Sequence, residues 1–283
     1  MVKIIADSTC DLSKELIEKY NVEILPLYII LGDKEYRDGM EISPDEIYKW
    51  SDANGVTPKT SACSLATATE LFQKYLDEGM EIVCFSISGE MSTTVNVMRM
   101  GAEELNAADR IAVIDSRNLS TGGGLQVLEA AEMAQQGKGI AEIVAHIEKI
   151  RPRVRASFVV DTLTFLHRGG RCSGVAALFG STLKLHPRIA VEGGKMAPGK
   201  KYRGKMSKVI LTYVQDMEAE LKSAETKRVF VTHSGCAQED IEAVRSYLKG
   251  LNRFDEILIT RAGGVVSSHC GPGTLGVLFI AGE

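Results

Sequence analysis

The sequence predicts an α/β protein made of two α/β domains, the first with a parallel sheet flanked by helices. Three observations carry this reading. The chain has 283 residues, enough for about two domains. Hydrophobic residues make up 45% and charged residues 25%, with seven prolines, values of a chain that buries a sizeable core without disulfides or metal. Short apolar runs alternate with amphipathic stretches, the pattern of βαβ units.

Residues 2–6 are an apolar run read as a strand, stopped by the polar loop Asp7-Ser8-Thr9. Residues 13–20 place Leu16, Ile17 and Tyr20 on one helical face. The stretch 22–31 is β-rich, and Gly32-Asp33 reads as a hairpin turn. Ser43-Pro44-Asp45-Glu46 is a helix start: a Ser cap, Pro at the first helical position and Glu completing a capping box. Helices are expected at 66–78, 92–106, 121–136 and 140–150, with strands at 81–86 and 110–115. A second series begins near Ala156: strand 156–160, helix 173–185, strand 188–191, a turn at Gly193-Gly194, a long helix 206–225, strand 228–233, helix 237–249, strand 256–260 and a last strand within 273–281. A boundary near Pro152 divides the chain into domains 1–155 and 156–283.

Composition also excludes function classes. A net charge of −4 gives no global attraction to nucleic acid. The longest apolar stretch, 25–31, contains Pro26 and is far shorter than the ~20 residues of a membrane span. The first residues lack the apolar run of a signal peptide, so a cytoplasmic location is expected. Cysteines 10, 63, 84, 172, 236 and 270 form no CxxC pair and are expected reduced and mostly buried; the five histidines show no HxxxH or HExxH spacing. No metal or cofactor is expected. Charge is uneven, however. Residues 149–208 hold 14 basic and two acidic residues, a net +12, against −16 elsewhere. Residues 195–208 alone hold six basic and no acidic residues, read either as a solvated basic loop or as a docking surface for something anionic.

In α/β sheets ligands collect beyond the carboxyl ends of strands. The segments there are rich in hydroxyls: Asp7-Ser8-Thr9, Thr60 to Ser64, Ser86 to Thr94 and Asp115-Ser116-Arg117. Ser64 and Ser92 directly precede expected helices, where a hydroxyl either caps the helix or, with the free N–H groups and dipole there, holds an anion. His269 sits among Ser267-Ser268-His269-Cys270-Gly271-Pro272-Gly273-Thr274, read as a rigid loop, and Arg171 ends the glycine loop His167-Arg168-Gly169-Gly170-Arg171. Two matches are rejected. Gly199 to Lys205 fits GxxxxGK, but Met206 replaces the required Ser or Thr and no apolar strand precedes it. Gly122-Gly123-Gly124 is not GxGxxG and reads instead as close helix packing.

Together these segments resemble the DegV family of bacterial fatty-acid-binding proteins over essentially the whole chain. The resemblance rests on Asp7-Ser8-Thr9 with Asp11-Leu12, Thr60-Ser61 with Ser64, Met91-Ser92 with Thr94, Val113-Ile114-Asp115-Ser116, Gly169-Gly170-Arg171, and His269-x-Gly271-Pro272-Gly273-Thr274. Departures are Ala62-Cys63 in place of the usual Gln-Pro and Thr93 in place of a glycine. The resemblance implies a DegV-like pair of α/β domains enclosing one long-chain fatty acid in an aliphatic, methionine-lined tunnel. It implies a carboxylate site at Thr60, Ser61, Ser92, Thr93 and His269. It also implies a separate fatty-acid kinase partner that makes an acyl phosphate for phospholipid synthesis. The chain would then be a carrier and not an enzyme, with Arg171 as a gate or partner contact and Lys200, Lys201 and Arg203 in the docking surface. The alternative is a serine hydrolase or acyl-transfer enzyme, with Ser92, His269 and an Asp such as Asp7 as nucleophile, base and orienter, although no GxSxG elbow is present.

Overall fold

The apolar runs alternate between two buried faces, and the architecture follows from where those faces go. The structure is a computed structural model and describes residues 1–172, 174–176 and 185–283. Its first part holds β1 (Val2–Asp7), a 3-10 turn (Ser8–Cys10), α1 (Lys14–Lys19), β2 (Glu23–Leu25), β3 (Tyr28–Leu31), β4 (Lys34–Arg37), α2 (Pro44–Asn54), β5 (Lys59–Ser61), α3 (Leu65–Asp77), β6 (Glu81–Ser86), α4 (Thr94–Glu104), β7 (Ile111–Asp115), α5 (Thr121–Gln135) and α6 (Ile140–Ile150). A 3-10 turn (Arg151–Arg153) leads into β8 (Val154–Val159), α7 (Thr164–Gly169), β9 (Leu185–Glu192), β10 (Lys195–Arg203), α8 (Met206–Asp216), α9 (Glu218–Ser223), β11 (Arg228–His233), α10 (Gln238–Gly250), β12 (Glu256–Arg261), α11 (Gly264–Cys270) and β13 (Leu275–Ile280).

β2-β1-β6-β7 form a parallel sheet, with Ile5 opposite Glu23 and Cys84, and Val83 opposite Ala112. Period-two burial sends Ile5, Ile82 and Cys84 to one face, against Phe72 of α3 and Met98 of α4. Ile4, Ala6, Val83 and Phe85 go to the other, against Leu125 and Leu128 of α5 and Ile143 and Ile147 of α6. The second sheet runs β10-β9-β8-β13-β11-β12, antiparallel except for β11-β12. One of its faces packs on α8 and α10, while Ala156, Phe230 and Leu278 of the other join the α5 core. Helix α5 thus lies between two sheets. A Cβ at Gly124 would stand 2.7 Å from the Cys10 carbonyl oxygen, so the glycine triplet serves close packing, as the sequence suggests. A small antiparallel sheet, β4-β3-β5, pairs Ile29 with Thr60.

Several expectations need correction. The run 22–31 divides at Pro26 into β2 and β3, which enter different sheets. The helix expected over 206–225 stops at Met217 and restarts as α9, with Ala224 extended and Glu225 N–H bonded to the Ile280 carbonyl of β13. The helix expected over 173–185 falls largely outside the described residues, and Leu185 itself begins β9. The basic stretch is not a loop: Lys195–Arg203 is edge strand β10, with Pro198 at a register shift, both recognised features of edge strands. Residues read as loops around Arg171 and His269 are helical in part, since α7 ends at Gly169 and His269 lies in the last turn of α11. Pro152 lies where the chain leaves α6 and enters the second sheet.

Candidate functional site

A cavity of about 450 Å³ opens where β5, the segment between β6 and α4, and α11 meet, a volume in the range of small-ligand sites. Thr60, Ser61, Ser92, Thr93, His269 and Arg171 all line it, so the structure gathers every residue assigned to the carboxylate site, along with the arginine of the glycine loop. The rest of the lining is mainly aliphatic or methionine: Leu27, Met91, Leu119, Met196, Val265 and Val266. Among the described residues no aromatic side chain lines it.

Each polar group is placed by identifiable contacts. Thr60 stands on β5, and its Oγ1 is 2.8 Å from His269 Nε2. The His269 ring is buried against Gly169, where a Cβ would lie 2.5 Å from Nδ1, and Nδ1 has no hydrogen-bond partner among the described residues. Burial, and secondly the field of Arg171, lower the His269 pKa to about 4, so the ring is neutral near pH 7. Gly170 then takes φ +67, which turns the chain and brings Arg171 to the cavity rim, where Nη1 donates to the Gly169 carbonyl at 2.7 Å. Ser92 precedes α4; its Oγ accepts from Thr94 N–H at 3.3 Å and lies 2.8 Å from Thr94 Oγ1. Ser64, by contrast, caps α3 through Thr67 N–H, and it does not line the cavity.

Buried carboxylates support this shell. Asp7 accepts from Thr9 and, at 2.7 Å, from Ile87 N–H, which fixes the segment leading to Ser92. Asp11 accepts from Gly263 N–H at 2.8 Å and Ser120 Oγ at 2.5 Å; Asp38 accepts from Gly264 N–H at 2.7 Å and Ser8 Oγ at 2.8 Å. Two acids from the first part of the chain therefore hold the start of α11, the helix that carries His269. Burial raises all three carboxyls, Asp7 to about 6 and Asp11 to about 8. Sequence reasoning missed Asp38, which sits in an ordinary turn-like Arg-Asp-Gly context, and did not say which residues form the expected aliphatic lining, because they look like any core.

The three residues named for the hydrolase alternative are not bonded to one another. His269 bonds Thr60, Ser92 bonds Thr94, and Asp7 bonds Thr9 and Ile87, so no nucleophile–base–carboxylate chain is assembled. Lys200, Lys201 and Arg203 lie on β10 and do not line the cavity; Lys200 is ion-paired to Asp216 at 2.6 Å. No disulfide joins the six cysteines, of which five are buried. Among the described residues no cluster of His, Cys, Asp and Glu is placed to hold a metal ion, and no helix is long and apolar enough to cross a membrane.

A family model described as "Uncharacterised protein, DegV family" matches residues 1–282. The chain belongs to the DegV family. A DegV domain-containing protein of Deinococcus radiodurans is 33% identical over 276 residues, covering 98% of this chain and 97% of that one. Among solved structures, a fatty-acid-binding DegV family protein from Thermus thermophilus is 30% identical, with a TM-score of 0.90 and 99% of each chain covered. A stearic-acid-binding protein from Eubacterium ventriosum is 27% identical, with a TM-score of 0.86 over 99% of this chain and 98% of that one. The two-sheet α/β architecture is therefore that of DegV proteins, and the hydroxyl-lined cavity belongs to a fold whose solved relatives include fatty-acid binders.

Proposed function

We propose that this DegV protein binds one long-chain fatty acid, with its carboxylate at Thr60 and Ser92 and its chain along the aliphatic wall of the cavity. The observation that carries the reading is the Thr60–His269 hydrogen bond at the polar end of an otherwise aliphatic cavity. With the proton on Nε2, the neutral imidazole donates to Thr60 Oγ1 and frees the threonine hydroxyl to donate to a carboxylate. Ser92 accepts from Thr94 N–H, and with Thr94 Oγ1 as the donor in their hydroxyl–hydroxyl bond its own proton is available in the same way. Acyl burial gains about 0.8 kcal/mol per methylene before entropy costs, so the chain supplies affinity and the hydroxyls supply orientation. Ser61 and Thr93 complete the polar rim.

Neutral donors leave the carboxylate oxygen nucleophilic. This suits a carrier that presents its ligand to a separate fatty-acid kinase for acyl-phosphate formation, with Arg171 at the rim as the contact for the incoming group. Native mass spectrometry of the purified protein is expected to show one fatty acid per chain. Finding none, together with no uptake of added acid, would overturn the proposal. Ser92→Ala is expected to weaken fatty-acid binding by ~1–3 kcal/mol, the scale of a hydrogen bond to a charged group; unchanged affinity would remove Ser92 from the site.

A further inference from the structure

We infer that a second cavity, on the other side of the β9–β10 hairpin, binds a small multiply phosphorylated anion. This cavity is larger, about 710 Å³, and is walled by the turn after β7, the Arg151–Arg153 turn with the start of β8, and the β9–β10 hairpin. Arg117, Arg151, Arg155, Arg188 and Lys200 line it, against Glu148, Glu192 and Glu220. Lys200 is committed to Asp216. Among the described residues the four arginines form no ion pair with any carboxylate, and neither do the three glutamates with any base. Three of the arginines spend donors only on carbonyls: Arg117 on Gly193 at 3.2 Å, Arg151 on Asp115 at 3.3 Å, and Arg155 on Pro152 at 2.9 Å and Val154 at 3.4 Å. Arg188 Nε is buried with no partner among the described residues. Arg188 also lies in the field of Asp216, whose carboxylate is already taken by Lys200 and Tyr202.

Four guanidiniums without a carboxylate partner among the described residues line one cleft; Arg117 and Arg155 are exposed, and the buried Nε of Arg188 is the unmet donor whose cost an anion would remove. The planar guanidinium fork matches phosphate oxygens two at a time. With Lys200 held by Asp216, four arginines face three glutamates, and it is the number of guanidinium forks rather than the net charge that suits a ligand with the many oxygens of more than one phosphate group. Among the described residues the lining has no aromatic ring on which a base would stack, and its apolar part consists of small residues such as Pro152, Ala156 and Val191. That excludes a nucleobase platform and a long acyl chain, and leaves a compact phosphate compound. The hairpin between the two cavities touches both. Gly194 O accepts from Ser88 Oγ at 2.7 Å, Lys195 pairs with Glu90 at 3.2 Å, and Met196 lines the first cavity. The inference does not depend on the fatty-acid reading.

Isothermal titration of the full chain with inorganic pyrophosphate at low ionic strength tests it. Saturable one-to-one binding is expected, with weakening by about tenfold or more in Arg188→Gln, the scale of one lost charged hydrogen bond. If that variant fails to fold by circular dichroism, Arg155→Gln decides, with the same expectation. Absence of saturable pyrophosphate binding would overturn the inference, as would binding that neither substitution weakens. Orthophosphate binding as tightly as pyrophosphate would overturn the multiply charged ligand. A poly-glutamate peptide binding where pyrophosphate does not would overturn it in favour of a groove for an acidic protein segment.

Discussion

His269 is kept uncharged by its surroundings, and that has a consequence for stability. An ordinary histidine titrates near 6.5, but this one is lowered to about 4, mainly by burial and then by Arg171. A depressed histidine contributes stability that is fully present above its unfolded pKa and is lost as pH falls from about 6.5 toward 4. His269→Gln removes that titration while keeping a side chain able to bond Thr60. Urea unfolding at pH 7 and pH 5 should therefore show a larger loss for the parent than for the variant, with a difference on the order of 2 kcal/mol. An equal loss would mean that the ring is not held neutral. At this scale the site was largely legible: hydroxyl loops and a histidine among Gly and Pro stand out by residue type. Asp38 was not, because its role depends on Gly264, 226 positions away, which no local pattern records.

Among the elements, strands that alternate cleanly were readable, and β11 was expected over the span it occupies, Arg228–His233. The helix start at Ser43 was readable too, and the capping box forms. Strand β10 was hidden because its edge position lets it carry lysines that mask alternation; only Met196 and Tyr202 are buried along it. Helix α11 was hidden by its seven residues, its leading glycine and its two valines, all poor helix formers. It exists because Asp11 and Asp38 satisfy its first N–H groups from a distance. Asp38→Ala should thus lower stability by roughly 1–3 kcal/mol, the cost of leaving a buried donor unmet, and loosen fatty-acid binding through His269. Thermal unfolding and lipid titration would read both; unchanged values would show that α11 needs no such anchor. Asp11, raised to about 8 by burial, contributes stability present below its unfolded pKa and lost as pH rises through 8. Asp11→Asn should therefore flatten the decline in unfolding free energy between about pH 4 and 8. A parallel decline in parent and variant would show that another group titrates there.

For the whole molecule, the net charge of −4 hides a division that the fold makes spatial. The +12 segment supplies three of the four arginines of the cleft and the outer residues of β10, whereas the hydroxyl site lies mostly on the −16 remainder. Lys200, Lys201 and Arg203 looked equivalent in sequence, but they are not equivalent in the fold. Lys200 lines the cleft and is paired to Asp216, so a glutamate there would place like charges together and damage the edge strand itself. Lys201 and Arg203 are exposed, form no ion pair among the described residues and line neither cavity. The clean test of a docking surface is therefore the double reversal Lys201→Glu, Arg203→Glu. Exposed charges act mainly on encounter rate and are screened by salt. If the chain is the carrier proposed above, the double variant should keep its fatty-acid affinity and its pyrophosphate binding while a fatty-acid kinase phosphorylates its acid more slowly. The deficit should be largest at low ionic strength and shrink as salt is added. Equal phosphorylation rates at low salt would assign these two residues to the solvation of an edge strand and leave Arg171, at the cavity rim, as the basic residue of the proposed partner contact still to be tested.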